Sequence, residues 1–195
     1  MTLLIFQVKN DLNQKYSGSF LGLYWSLMAP LLQVLVYVFL FSIVFNIKLG
    51  GTSSPVAYAI FCLSGLGAWF AVQEAIMVST TCMSKNSSII KNINFPSYIF
   101  VISSVICSFL VILAAYFVLL LLIIIVEHRL PGITVLAIPF ILIVHFVFVL
   151  GLGMILSVIG AFFKDITYVL PVLMQLLMLT TPILYKRSDV PKAFQ

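Results

Sequence analysis

Glu74 is the residue whose type and position most strongly suggest chemistry, because its carboxylate lies inside a long apolar stretch. It follows Gln73 and comes about one helical turn after Trp69 and Phe70. A carboxylate within the hydrocarbon of a membrane costs about 3 kcal/mol or more unless it faces a cavity, finds a partner or takes up a proton. Two interpretations stay open: an inward-facing structural or pathway role, or a partly wet position near the membrane interface.

Other polar side chains inside the apolar stretches could hydrogen-bond a polar group that passes between helices, or simply hold the helices together. They are Gln33, Tyr37, Gln175, Thr180 and Thr181. From this set and the surroundings of Glu74 we select a candidate substrate pathway. It consists of Tyr37, Trp69, Glu74 and Gln175.

The residues of a catalytic centre are not found. The sequence has no HExxH, no GxSxG, no paired acidic motif for metal and phosphate, and no GxxxxGK[ST] phosphate loop. His128 falls in a polar break, and His145 stands alone in its apolar run. Cys62, Cys82 and Cys107 are isolated and form no CxxC pair. We therefore expect no catalytic residue, no metal site and no cofactor bound by this chain.

Five long apolar runs carry these polar residues, and short polar breaks separate the runs. They lie at about residues 27–45, 56–83, 98–126, 134–163 and 166–184. Each run is close to or above the roughly 20 residues that a helix needs to cross a bilayer. The pattern predicts an all-α, polytopic transmembrane helical protein.

The composition of the 195 residues excludes a soluble domain, since 63% are hydrophobic and only 8% are charged. The mean hydropathy is +1.25. The net charge of +5 does not indicate nucleic acid, because the ten basic residues are scattered among the polar breaks and form no cluster. We expect a membrane environment and no nucleic-acid partner.

The N-terminal segment predicts an amphipathic helix lying in the membrane interface. Ile5, Val8, Leu12 and Tyr16 recur at helical spacing, with polar side chains elsewhere around the helix. The candidate interfacial access residues are Lys9, Lys15, Tyr16 and Trp25. Lysines there would attract anionic lipid, and aromatic side chains mark the boundary of the hydrocarbon. A passive anchor and a frayed tail are the alternatives.

The polar break at residues 84–96 offers more than a connection. Asn86 or Ser87 suits the N-cap of a short helix with isoleucines on one side, and Phe95 is extended because it precedes a proline. Exposed apolar groups on a loop suggest a docking surface, although they could also dip into the membrane interface. The candidate docking residues are Asn86, Ile89, Ile90, Lys91, Ile93 and Phe95.

Other features of the runs concern packing and orientation. Gly153, Ser157 and Ala161, spaced by four, form a small-residue stripe for close helix approach, more often within one subunit than between two. Pro139 and Pro171 are candidate kinks. Basic residues divide five to five between the two sides of the membrane, and only discounting the C-terminal tail favours a cytoplasmic N-terminus.

Five sequence motifs resemble those of the type-2 ATP-binding-cassette permeases that export O-antigen, capsular polysaccharide and teichoic acid. They are DLNQKYSGSFLGLYWSLMAPLL, LSGLGAWFAVQEA, NSSIIKNINFP, GLGMILSVIGAFFKDI and TTPILYKRSDVP. The motifs occur in the same order as in the family, and the resemblance covers nearly the whole chain. Asn10, Lys15 and Ser97 stand where the family pattern has arginines.

The resemblance implies a homodimeric permease in the cytoplasmic (inner) membrane, with its N-terminus in the cytoplasm. Its partners would be a nucleotide-binding ATPase subunit, which holds ATP and Mg, and a lipid-linked polysaccharide as substrate. The break at 84–96 would dock on the ATPase. A permease for drugs or small lipids is one alternative, and an intramembrane enzyme of lipid or glycan assembly is another.

The same resemblance divides the chain into three parts. Residues 1–26 would form the interfacial helix and the segment leading to the first span, and residues 27–185 the transmembrane helical domain. Residues 186–195 would begin an external segment. Because the family has six spans and five are present, the resemblance predicts a sequence that is incomplete at its C-terminus.

Overall fold

The computed structural model describes residues 2–20, 22–44, 55–92, 95–127, 132, 136–183 and 185. Within these ranges the secondary structure is helical and contains no β-strand. The α-helices are α1 (Thr2–Tyr16), α2 (Trp25–Val38), α3 (Pro55–Lys85), α4 (Ser87–Asn92), α5 (Tyr98–Glu127), α6 (Ala137–Phe162) and α7 (Ile166–Thr180). A short 3₁₀ helix, Gly22–Tyr24, precedes α2, and a π-helix, Phe39–Val44, follows it.

The predicted helical membrane fold is confirmed. Tyr58–Lys85 and Ala137–Phe162 are long and apolar enough to cross a bilayer, and Tyr98–Leu110 and Ile166–Thr180 are shorter apolar stretches. Large apolar side chains cover the outer surfaces of α6 and α7, as on Phe140 and Leu176, which are 70% and 55% exposed. Water would not tolerate so much exposed apolar surface, whereas lipid does.

The last helix is shorter than its apolar run. α7 ends at Thr180, four residues before the predicted end at 184, because Thr181 has extended backbone (ψ 134°) and precedes Pro182. A residue before proline is disfavoured in the helical region. The 15 residues of α7 rise only about 22 Å, less than the roughly 30 Å of a hydrocarbon core.

The two prolines predicted as kinks occupy different positions in their helices. Pro139 is in the first turn of α6, where a helix requires no N–H donor, so it does not have to kink the helix. Pro171 lies inside α7.

The predicted external segment, residues 186–195, lies outside the described residues. The last residue of the first predicted run and the first residues of the fourth run lie outside them as well.

α3 is the central helix and packs against α5 and α6. Its small residues Ala71 and Ala75 meet Val105 and Ile112 of α5 and Val149 of α6 in one buried cluster. Small side chains on the central helix let both neighbours approach closely. The result is a bundle in which α3 touches most of the elements that carry candidate site residues.

α6 approaches α3 along Gly153, Ser157 and Gly160, all of which are buried. A Cβ on Gly160 would lie 2.2 Å from the backbone oxygen of Thr80. The small-residue stripe therefore packs within the subunit. Its third member is Gly160 and not the predicted Ala161, which is exposed. Seven residues make about two turns of an α-helix, so residue 160 lies on the same face as Gly153.

Gly160→Ala is expected to destabilise the fold by about 1 to 3 kcal/mol, because the added methyl group meets backbone atoms that cannot turn away. The melting temperature of the detergent-solubilised protein measures this loss. Gly151→Ala on the same helix is the control, since a Cβ there has no atom within 4 Å. Equal melting temperatures for the two variants would show that α3 and α6 are not so closely packed.

Candidate functional site

α1 turns its polar face towards the bundle and its apolar side outwards. Gln7 is only 8% exposed, whereas Ile5 and Phe6 are 62% and 70% exposed. The predicted apolar stripe is therefore divided, since Val8 and Leu12 are half-buried while Ile5 is on the outer surface. For a helix at a membrane surface, this orientation gives apolar groups to the lipid and polar groups to the protein.

Asp11 joins α1 to α5. Its Oδ2 accepts a hydrogen bond from Ser103 Oγ at 2.5 Å, and its Oδ1 accepts one from Gln7 Nε2 at 2.6 Å. Ser103 is completely buried. Hydrogen bonds to a carboxylate are stronger than those between neutral groups, so Asp11 holds α1 in register against α5. A weaker contact runs from Cys107 Sγ to the Val8 carbonyl oxygen, at 3.7 Å.

Lys15 joins α1 to α3, because its Nζ forms an ion pair and a hydrogen bond with Glu74 Oε1. The two side chains are 33% and 29% exposed. Glu74 is thus turned towards α1 at the edge of the bundle, and Lys15 binds a protein carboxylate in place of the lipid that its sequence position suggested. Lys9, on the same helix, is exposed, and the side chain of Tyr16 lies outside what the structure describes.

A cavity of about 400 Å³, lined by both polar and apolar side chains, lies between α1, α3 and α5. The side chains of Gln7, Asn10, Asp11, Gln14 and Lys15 of α1 line one side of it. Glu74, Lys85 and Asn86, from α3 and its junction with α4, line another side, together with Ser104 and Ser108 of α5. The cavity therefore connects α1 with the end of the bundle where α4 is attached.

The short helix predicted in the break at 84–96 is present as α4, and its apolar residues face in different directions. Ile89 is 40% exposed, whereas Ile90 and Phe95 pack against Phe100 and Val101. The rings of Phe95 and Phe100 are 4.9 Å apart. Adjacent helical residues differ by about 100° in direction, so Ile89 and Ile90 cannot both face outwards. Ile93 lies outside the described residues.

The other docking candidates also differ in role. The Asn86 Nδ2 donates to the Cys82 carbonyl oxygen at 2.8 Å, so this side chain is bonded back to the last turns of α3. Lys91 is exposed and borders a cavity of about 440 Å³, together with Ser97 and Lys164. This cavity brings α4 next to the turn between α6 and α7. The exposed side chains here include Ile89, Lys91 and Lys164.

The four candidate pathway residues do not meet in one place. Tyr37 Oη donates to Met178 Sδ at 3.8 Å, and Trp69 packs in the same core region with its Nε1 buried and without a hydrogen-bond partner among the described residues. Glu74 faces α1, since five residues on a helix turn it about 140° from Trp69. Gln175 is exposed on α7, because Leu170, Met174 and Met178 form the inward side.

The histidine and cysteine residues serve packing in the part of the chain that is described. His145 meets Phe109 edge to face, with ring centroids 5.3 Å apart. Cys62, Cys82 and Cys107 are buried free thiols. Among the described residues, no group of three or more His, Cys, Asp or Glu side chains could hold a metal ion.

Asp11, Gln7 and Ser103 were not among the residues selected from the sequence. The sequence could have indicated Gln7 and Asp11, because Gln7, Asp11 and Lys15 are spaced by four and so share one face of a helix. Ser103 gave no such signal, since a serine in an apolar run most often bonds to its own helix.

Comparison with known proteins gave consistent matches. The model of the family described as ABC-2 type transporter matches residues 2–195. An O-antigen export system permease protein RfbA of Klebsiella pneumoniae is 28% identical over 193 residues, which cover 98% of this chain and 72% of the relative. A protein of the same name from Myxococcus xanthus is 28% identical over 191 residues, covering 96% of this chain and 70% of the relative.

Proposed function

The chain belongs to the ABC-2 type transporter family, and from that membership we propose that it is the membrane subunit of an ATP-driven exporter of a lipid-linked polysaccharide. The observation that carries the proposal is the similarity to O-antigen export permeases over nearly the whole chain. O-antigen is a polysaccharide, so the substrate class follows from the relatives. The activity of this subunit is transport, and catalysis belongs to a partner.

The partner is an ATPase subunit that binds ATP and Mg. The 195 residues contain no GxxxxGK[ST] phosphate loop, which supports a separate ATPase as the source of free energy for export. Its docking surface is formed by Ile89 and Lys91 of α4 with Lys164 beside them. An exposed isoleucine between lysines is a costly surface in water and a suitable one for a partner with an apolar pocket and acidic rim.

The end of the bundle that carries α4 faces the cytoplasm of the inner membrane. Lys85, Lys91 and Lys164 lie there, and Lys15 of α1 lines the same cavity as Lys85. Cytoplasmic loops carry the excess of lysine and arginine, so the clustering supports an N-terminus in the cytoplasm. The face of α1 that carries Ile5 and Phe6 then lies in the cytoplasmic leaflet, where a lipid-linked substrate arrives.

A second copy of the chain completes the translocation route. Gln175 is exposed in the middle of the apolar helix α7, where contact with lipid would leave its amide without partners. A facing α7 or α2 of a second subunit would enclose Gln175 in a shared channel that polar sugar units can cross. The homodimer is therefore part of the proposal.

Deletion of the gene in the source organism tests the export function. We expect the polysaccharide to disappear from the cell surface and its lipid-linked precursor to accumulate inside, and a plasmid copy to reverse both effects. Immunoblots of surface and cytoplasmic fractions measure the distribution. Unchanged surface polysaccharide in the deletion strain would overturn this substrate assignment.

A further inference from the structure

We propose that α1 is a hinged lever, and that the Lys15–Glu74 contact between α1 and α3 has to open and re-form in each transport cycle. The inference rests on the proposed function and adds to it the moving element and the contact that opens. Three features of the structure support it: the connection of α1 to α2, the kind of contact that holds α1, and the cavity beneath it.

The connection between α1 and α2 contains two glycines with positive φ. Gly18 has φ +79° and Gly22 has φ +50°, and a Cβ on either would have no atom within 4 Å. The Gly22 N–H donates to the Ser19 carbonyl oxygen at 3.2 Å within this connection, and glycine reaches both left-handed and right-handed conformations easily. A change in the angle between α1 and α2 at the two glycines therefore meets no side-chain obstruction there.

Polar contacts hold α1 in place at Asp11 and Lys15, and its half-buried Leu4, Val8 and Leu12 add only partial apolar burial. Gln7 is the one buried residue among the described side chains of α1, and Leu3, Ile5 and Phe6 all face outwards. Exchanging a hydrogen bond to protein for one to water changes the free energy little, whereas opening an apolar interface costs roughly 25 cal/mol for each Å² exposed. The partly exposed Lys15–Glu74 contact can therefore open at low cost.

The cavity beneath α1 contributes to this low cost. Its volume of about 400 Å³ is bordered by Asn10, Gln14 and Lys85 on its polar side and by Val78 and Phe100 on its apolar side, and water at the polar side can solvate the polar face of α1. The ion pair is about one-third exposed at its edge and is open to water from the outside as well. Both charges remain solvated when they part.

α3 links this contact to the docking helix. Glu74 and Lys85 lie on the same continuous helix, about 16 Å apart along its axis at 1.5 Å per residue. Lys85 and Asn86 line the cavity beneath α1 and also lead directly into α4. A displacement of α4 by the ATPase therefore shifts the wall that faces α1 and moves Glu74 relative to Lys15.

Reversible crosslinking of these two positions tests the lever. The full-length protein carries Lys15→Cys and Glu74→Cys, with Cys62, Cys82 and Cys107 replaced by serine, in complex with its ATPase. A bifunctional methanethiosulfonate reagent bridges the new thiols, and a monofunctional reagent on the same thiols is the matched control. We expect the bridge to reduce export at least tenfold relative to the monofunctional control, and a reductant to restore it. Undiminished export by fully bridged protein would overturn the proposal.

Two further readouts keep the test decisive. If the cysteine variant does not assemble, hydrogen exchange of the α1 amides in the unmodified complex replaces it: exchange should rise when an ATP analogue binds, and equal protection in both states contradicts the lever. If the unmodified complex exports no polysaccharide, the proposed substrate is wrong, and the bridge is then judged by its effect on ATP hydrolysis, which does not depend on the substrate assignment.

Discussion

Glu74→Lys is expected to reduce polysaccharide export by about 100-fold or more. The substitution places a second ammonium group opposite Lys15 at a contact that now joins opposite charges. Two like charges about 4 Å apart near a protein surface repel by up to about 4 kcal/mol, and each 1.4 kcal/mol corresponds to a factor of ten. α1 would no longer seat against α3, and displacements of α4 would not reach it.

The reciprocal exchange separates this contact from other roles of Glu74. Lys15→Glu combined with Glu74→Lys restores opposite charges in reversed positions, so we expect most of the lost export to return. Lys9→Glu is the control, since Lys9 is exposed on the same helix, and it should export normally. A double variant as inactive as Glu74→Lys would show that Glu74 contacts the substrate, contrary to the structure's pairing with Lys15.

Ile89→Asp together with Lys91→Glu is expected to release the ATPase from the detergent-solubilised complex, with co-purified ATPase falling at least about tenfold. Both side chains face away from the bundle, so the change removes an apolar contact and reverses a charge without disturbing the core. Immunoblots of the affinity-purified permease measure the retained ATPase.

Two control substitutions in α4 distinguish loss of docking from loss of folding. Ile89→Leu keeps the apolar surface and should retain the ATPase. Ile90→Asp should instead lower the melting temperature of the permease itself, because Ile90 packs against Phe100 and Val101. Full retention of the ATPase by the Ile89→Asp, Lys91→Glu protein would mean that α4 is not the docking element.

The local sequence pattern was sufficient to predict the positions of most helices. α3 and α5 were predicted to within about two residues at each end, because their apolar runs are long and polar breaks bound them sharply. α7 was predicted too long, since composition alone does not weigh the effect of Pro182 on Thr181. The small-residue stripe of α6 was found, although its last member was displaced by one position.

The candidate site was harder to predict, because its contacts join distant parts of the chain. Lys15 pairs with Glu74, which is 59 residues away, and Asp11 with Ser103, which is 92 residues away. The spacing of polar residues in α1 predicts which of them share a face, but not whether that face meets water, lipid or another helix. Lys15 was expected to face lipid, and nothing in the sequence indicated that it also pairs with Glu74.

ATP-driven translocation by the purified complex tests the central claim most directly. The full-length permease and its ATPase are reconstituted in liposomes that contain the lipid-linked polysaccharide, and a glycosidase on the side opposite the ATPase reports the glycan that has crossed. We predict that ATP makes the glycan accessible to the glycosidase, and that a complex whose ATPase cannot hydrolyse ATP does not. Equal glycosidase cleavage with and without ATP hydrolysis would contradict the assignment of this chain as an export permease.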